Sequence, residues 1–180
     1  MLPASQIAAH ESSPSLPTMP ADRGHKTFER PVHLKIPKIG VDASIDQMGL
    51  TSDGALEAPS GPKSVGWYKL GPYPGNNGVA VLDGHYGTWK NGATSVFDDL
   101  NKLLPGDRID VQDVAGATAS FVVRDSKRYP RDKTVPELFT APDVSAHLNL
   151  VTCQGFWDKN RQTYTDRLVV FADFAPKEKE

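Results

Sequence analysis

Short apolar segments broken by glycine and proline run through most of this 180-residue chain, and they constrain its fold more than any other feature. Val32-His33-Leu34-Lys35-Ile36 alternates in polarity and stops at Pro37, as a strand with one buried face should. Residues 38–42 read as a turn and residues 43–47 as a second short strand. Val65-Gly66-Trp67-Tyr68 is an apolar and aromatic cluster, read as core packing, and residues 71–78 are a loop rich in glycine and proline. Val79-Ala80-Val81-Leu82 reads as a buried strand that runs directly into Asp83-Gly84-His85. Residues 108–114 and 119–129 read as two strands joined across Ala115-Gly116-Ala117, and residues 147–152 and 168–174 as the last two. One helix is predicted, over residues 95–104. Ser95 is its cap, Asp98 follows three residues on, and Phe97, Leu100 and Leu104 share a face. Residues 135–139 read as a helical turn. Many short strands with little helix predict an all-β barrel or sandwich, because parallel βαβ units need more helix.

Composition divides the chain. Apolar residues make up 38% of it, enough for a core but low, and the shortfall lies at the start. Residues 1–30 carry Pro14, Pro17 and Pro20 among Ser, Thr and Ala, and such a segment buries too little surface to offset its ordering entropy. They read as a disordered lead, and residues 31–176 as the folded unit. A net charge of −2 offers no basic field to nucleic acid or anionic lipid. No apolar run approaches the roughly 18 residues of a membrane helix, and no signal-peptide pattern is present, so the chain as given reads as soluble. A single cysteine excludes an internal disulfide framework and multi-cysteine metal sites.

That cysteine, Cys153, is the candidate for chemistry. Along residues 147–152, Leu148, Leu150 and Thr152 fall on one strand face, and Cys153 falls on the other, at the strand end, where Gln154-Gly155 is read as breaking the strand. A free cysteine commonly packs as a small hydrophobe, and the residues alone leave that reading open beside a nucleophile. A thiol needs a partner to act at neutral pH. Of five histidines, His10 and His25 lie in the lead, and His33 and His147 read as ordinary strand residues. His85 follows a buried strand and sits beside the Tyr86-Gly87 loop, a position from which a proton can be exchanged. Attack on an amide also builds an oxyanion that wants fixed donors. Arg167, in Asp166-Arg167-Leu168-Val169-Val170, would lie beside Cys153 if their strands pair, whereas Arg161 sits in the polar stretch Lys159-Asn160-Arg161-Gln162, read as a solvated loop.

Taken together these motifs resemble the sortases, cysteine transpeptidases of the outer face of bacterial membranes. Leu150-Val151-Thr152-Cys153 matches the family's Leu-x-Thr-Cys strand, Asp83-Gly84-His85 its histidine, and Asp166 to Val170 its arginine strand, in the family's order. Ile36-Pro37-Lys38-Ile39-Gly40-Val41 matches the opening strand, and Phe97, Leu100, Leu103 and Gly106-Asp107 the segment after the histidine. Val65-Gly66-Trp67-Tyr68 and Pro74-Gly75 look most like the class E and class F branches, although Gln154 stands where those more often carry glycine, and Tyr86-Gly87 where a valine-led loop is usual.

The resemblance implies an eight-stranded sortase-type β-barrel with short helices in its connecting loops. It implies a groove for a Leu-Pro-x-Thr-Gly type sorting signal of surface proteins. Cys153 would attack the Thr carbonyl to give a thioacyl-enzyme, with His85 as general acid and then base. Arg167 would serve the oxyanion or the substrate backbone, and Thr152 would bind or assist. The acceptor would be an amine of a cell-wall peptide or a pilin lysine. No cofactor, metal or nucleic acid is implied, and the native location would be the extracytoplasmic face of the bacterial membrane, held by an anchor not seen in this sequence. Leu2-Pro3-Ala4-Ser5 and Leu16-Pro17-Thr18 in the lead resemble parts of a sorting signal. The plain reading is a tail that happens to contain Leu-Pro, and the sharper one is a segment that occupies the groove. Three rivals stand beside this reading: an L,D-transpeptidase, which would place an arginine within two or three residues after the cysteine; a silent barrel that only binds peptides; and a metal site at His85, for which ligand spacing is lacking.

Overall fold

The computed structural model describes residues 27–175 apart from positions 53 and 90. Eight strands close into one barrel: β1 (Pro31–Ile36), β2 (Val41–Met48), β3 (Val65–Tyr68), β4 (Gly78–Gly84), β5 (Arg108–Asp113), β6 (Thr118–Pro130), β7 (Ala146–Asp158) and β8 (Thr163–Phe174). Around the barrel they run β1-β2-β3-β4-β7-β8-β6-β5. Closure removes the open edges that a sheet would otherwise expose. No helix among the described residues is long and apolar enough to cross a membrane.

Strand alternation fills two separate cores. Leu34, Ile36, Leu82, Leu148, Leu150 and Val170 point into the barrel with Phe121, while Val79, Val81, Val151, Val169 and Phe171 point outward beneath the segment that links β6 to β7. That segment contains a short 3₁₀ turn, Pro136–Leu138, as its sequence predicts. It is pinned to β7 by the Asn149 side chain, which donates to the Glu137 and Leu138 carbonyls at 3.0 and 2.9 Å. Along β4, Val79, Val81 and Asp83 face out, and Ala80 and Leu82 face in. This alternation delivers the Asp83 carboxyl to the outer surface at the end of the strand, next to His85.

Several sequence expectations need correction. The predicted helix over residues 95–104 is a run of turns with one 3₁₀ segment, Leu100–Lys102. A segment this short cannot offset helix nucleation. Asp98 closes a loop instead, accepting from the Gly87 and Ser95 amides at 2.6 and 2.9 Å. Phe97, Leu100 and Leu103 plug the barrel, whereas Leu104 is 61% exposed. Two strand pairs, β2–β3 and β4–β7, are parallel although no α-helix connects them; long loops and the β5–β6 excursion make the crossovers. β7 does not end at Gly155. It continues to Asp158 past an irregularity between Gln154 and Trp157, and Gly155 takes φ +90°, which a side chain would strain. β8 begins at Thr163, so Arg167 lies inside that strand. His147 is buried and bonded through both ring nitrogens, to Asp173 at 2.8 Å and Asp143 at 3.0 Å.

Phe28 lies at the near end of the lead. It exchanges hydrogen bonds with Asn76 at 3.1 and 3.3 Å and meets Phe174 edge to face. Residues 1–26, which hold both Leu-Pro dipeptides and with them the question of groove occupancy, lie outside the described residues.

Candidate active site

Cys153 and Arg167 are direct partners across the antiparallel β7–β8 pair, and Tyr129 of β6 is the partner of Arg167 on the other side. The pairing puts the thiol and the guanidinium side by side on the outer face, as the sequence anticipates. Among the described residues Arg167 makes no side-chain hydrogen bond or ion pair, so its donors are available to a ligand. Arg161, by contrast, sits in the exposed β7–β8 turn and pairs with Asp132 at 2.7 Å.

His85 follows β4, which runs parallel to β7 with Asp83 opposite Val151. Its position is fixed from several directions. The Phe97 amide donates to the His85 carbonyl at 3.1 Å. The Nε2 atom lies 2.7 Å from the Pro59 carbonyl. A carbonyl only accepts, so Nε2 carries a proton and Nδ1 is the nitrogen left to exchange one. The ring also meets Trp89 edge to face at 4.8 Å.

Gly84 makes this arrangement possible. A Cβ on it would overlap the Phe97 ring, which plugs the barrel directly under the histidine. Thr152 donates to the Gly84 carbonyl at 2.6 Å and is 2% exposed. Its hydroxyl therefore ties β7 to β4 from inside the barrel. Alternation turns the Thr152 side chain away from the groove, under the Gly84 carbonyl that precedes His85. Gly84→Ala is expected to cost about 1–3 kcal/mol of stability through overpacking, measured by denaturant unfolding.

Two cavities flank the Cys153–Arg167 rung. One, of about 330 Å³, is lined by Cys153, His85, Asp83 and the aromatic residues Trp89, Trp157 and Tyr164. The other, of about 320 Å³, is lined by Arg167 and by Val151, Val169, Leu138 and Phe139 beneath the β6–β7 segment. A thiol with an imidazole on one side and an apolar pocket beside an unpaired guanidinium on the other leaves room for an extended peptide across the thiol.

Asp83 is a member of this site to which the sequence alone assigns no role. The signal that finds it is period-two alternation, which puts it on the face of Val81 and His85. Burial pushes its carboxyl up to about 7, against opposing help from the Gly84 amide and the Arg167 charge. The Cys153 thiol is also raised above its ordinary value of 9.0, first by burial and then by Asp83, with Arg167 and Arg131 pulling the other way. The resting thiol is therefore protonated at neutral pH. Alkylation of Cys153 by iodoacetamide is expected to keep accelerating above pH 9, because the thiolate forms only as pH passes the raised value. Asp83→Asn, which removes the neighbouring negative charge, is expected to move that profile to lower pH, and an unmoved profile would contradict the assignment.

Residues 34–175 match the Sortase domain family. Among solved structures, sortase C-1 from Actinomyces oris is 26% identical, with 81% of this chain and 74% of that one covered and a TM-score of 0.64. Sortase C1 from Streptococcus agalactiae, in complex with MTSET, is 24% identical over 83% of this chain and 69% of that one, also at 0.64. Sortase C-1 from Streptococcus pneumoniae is 24% identical over 82% and 67%, at 0.63. Comparison with curated protein sequences finds no match.

Proposed function

The chain belongs to the sortase family of cysteine transpeptidases, and from that premise we propose that it cleaves a Leu-Pro-x-Thr-Gly type sorting signal between Thr and Gly and passes the acyl part to an amine of the cell wall or of a pilin. The observation that carries this reading is the Cys153–Arg167 rung with one cavity on each side. Leu and Pro side chains suit the apolar cavity under the β6–β7 segment, which puts the Thr carbonyl over the thiol. The Gly side of the bond then enters the cavity of His85.

Cys153 Sγ passes its proton to His85 Nδ1 and, as thiolate, attacks the Thr carbonyl carbon, and the oxyanion takes hydrogen bonds from Arg167. When the C–N bond breaks, the protonated Nδ1 of His85 gives its proton to the departing glycine amine. The thioacyl-enzyme remains until an acceptor amine attacks the same carbon and gives a proton to His85 Nδ1, the C–S bond breaks and the electron pair returns to sulfur. Thr152 acts through Gly84, holding the histidine in place.

Sortases are generally anchored to the membrane at the cell surface. For this chain the same location is proposed, with residues 1–30 linking the catalytic unit, residues 31–176, to such an anchor. The kinship to classes E and F, carried by Val65–Tyr68 and Pro74-Gly75, is part of the proposal. The test is incubation with a Leu-Pro-x-Thr-Gly peptide and an amine, read by mass spectrometry. A Thr–amine conjugate supports the reading. Hydrolysis alone would reassign the chain as a peptidase, and no cleavage at Thr–Gly would overturn the proposed substrate.

A further inference from the structure

The cavity that holds His85 has a composition that a site for releasing a peptide does not require. Among the described residues its one acidic lining residue is Asp83, and Tyr86, Trp89, Trp157 and Tyr164 supply aromatic walls. The rings brace one another, Tyr86 against Tyr164 at 5.0 Å and Trp157 against Tyr164 at 5.2 Å, edge to face. Among the described residues no lysine or arginine lines the cavity, and Asp83 forms no ion pair within 4.0 Å. A carboxylate removed from water without a cation is unfavourable, and the faces of aromatic rings attract cations, more so when these are desolvated. Carboxylate and aromatic walls together are complementary to a primary ammonium on a flexible apolar stem.

The transpeptidase reading, on which this inference rests, needs such a ligand at this place. The acceptor must reach the thioacyl carbon from the side on which the leaving amine departed, and that is the side of His85. We propose that Asp83 binds the ammonium of the acceptor and takes its first proton. The amine nitrogen then attacks the thioacyl carbon, its second proton passes to His85 Nδ1, the C–S bond breaks and Cys153 leaves as thiolate. Ammonium and carboxylate before the step become amide and carboxylic acid after it, with imidazolium and thiolate as the new charge pair. Burial holds this carboxyl at about 7, which makes it a better proton acceptor than an exposed aspartate. The acceptor class implied is a cationic side-chain amine of the lysine type, favoured over neutral nucleophiles.

The test uses the full chain, a Leu-Pro-x-Thr-Gly peptide and two competing acceptors at pH 7.5: Nα-acetyl-lysine amide, which is cationic, and hydroxylamine, which is neutral. The products are counted by mass spectrometry. Asp83→Asn and Asp83→Ala are expected to lower the ratio of lysine conjugate to hydroxamate about 10- to 100-fold, and Asp83→Glu to restore most of it. In the wild type, Nα-acetyl-Nε-trimethyl-lysine amide, cationic but unable to attack, is expected to inhibit lysine transfer where neutral Nα,Nε-diacetyl-lysine amide does not. A ratio unchanged in both the Asn and Ala variants, or equal inhibition by the two analogues, would overturn the role of Asp83 and leave the transpeptidase reading standing. A wild type that forms neither product would overturn that reading, and the inference with it.

Discussion

Cys153→Ala is expected to abolish cleavage and transfer, a loss of at least about 10⁴-fold, while leaving the barrel folded. The argument lies in where the residue sits. Cys153 faces outward beside Arg167 and is half-buried in the groove, so its sulfur contributes little to either core. A cysteine kept for packing would behave in the opposite way, with a loss of stability and no specific loss of turnover. Peptide cleavage read by mass spectrometry, beside thermal unfolding of the same variant, separates the two readings. A folded variant that still cleaves would remove the nucleophile from the account.

The second large effect is that of Arg167→Ala. Fixed donors aimed at a developing oxyanion are worth about 10²–10³ in rate, and here the guanidinium has no protein partner among the described residues to divert it. The same charge also opposes the upward shift of the Cys153 thiol, so its removal depletes the thiolate as well. Arg167→Lys is expected to recover only a small part, because an ammonium cannot reproduce the planar fork. Arg161→Ala is the control. Its partner Asp132 is as exposed as Arg161 itself, and a surface pair of that kind contributes about 0–1 kcal/mol. Steady-state kinetics on the sorting peptide checks all three variants. Equal effects at positions 161 and 167 would contradict the assignment.

Much of this is legible in the residues because strand alternation is a strong local signal. It sets Leu148, Leu150 and Thr152 against Cys153, and the structure has the three inside the barrel and the thiol outside. The same signal is present in Val79, Val81, Asp83 and His85, yet Asp83 is easily passed over, because an aspartate before a glycine reads first as a turn. Other features have no local signal. Trp157 and Tyr164 reach the cavity only because β7 survives Gly155 through an irregularity and pairs again with β8 beyond it. A glycine in sequence reads as a strand end. The parallel β2–β3 and β4–β7 pairs depend on contacts between distant segments, which periodicity does not report. The place of Thr152 beside the cysteine suggests a contact with substrate, although alternation by itself turns the side chain inward.

The most direct test of the central claim is the intact mass of the enzyme after rapid mixing with a Leu-Pro-x-Thr-Gly peptide and acid quench. The account predicts an adduct of the acyl fragment ending in Thr, mapped by proteolysis to Cys153 and released by hydroxylamine. Cleavage of the peptide with no adduct, or with an adduct at any other residue, would contradict it.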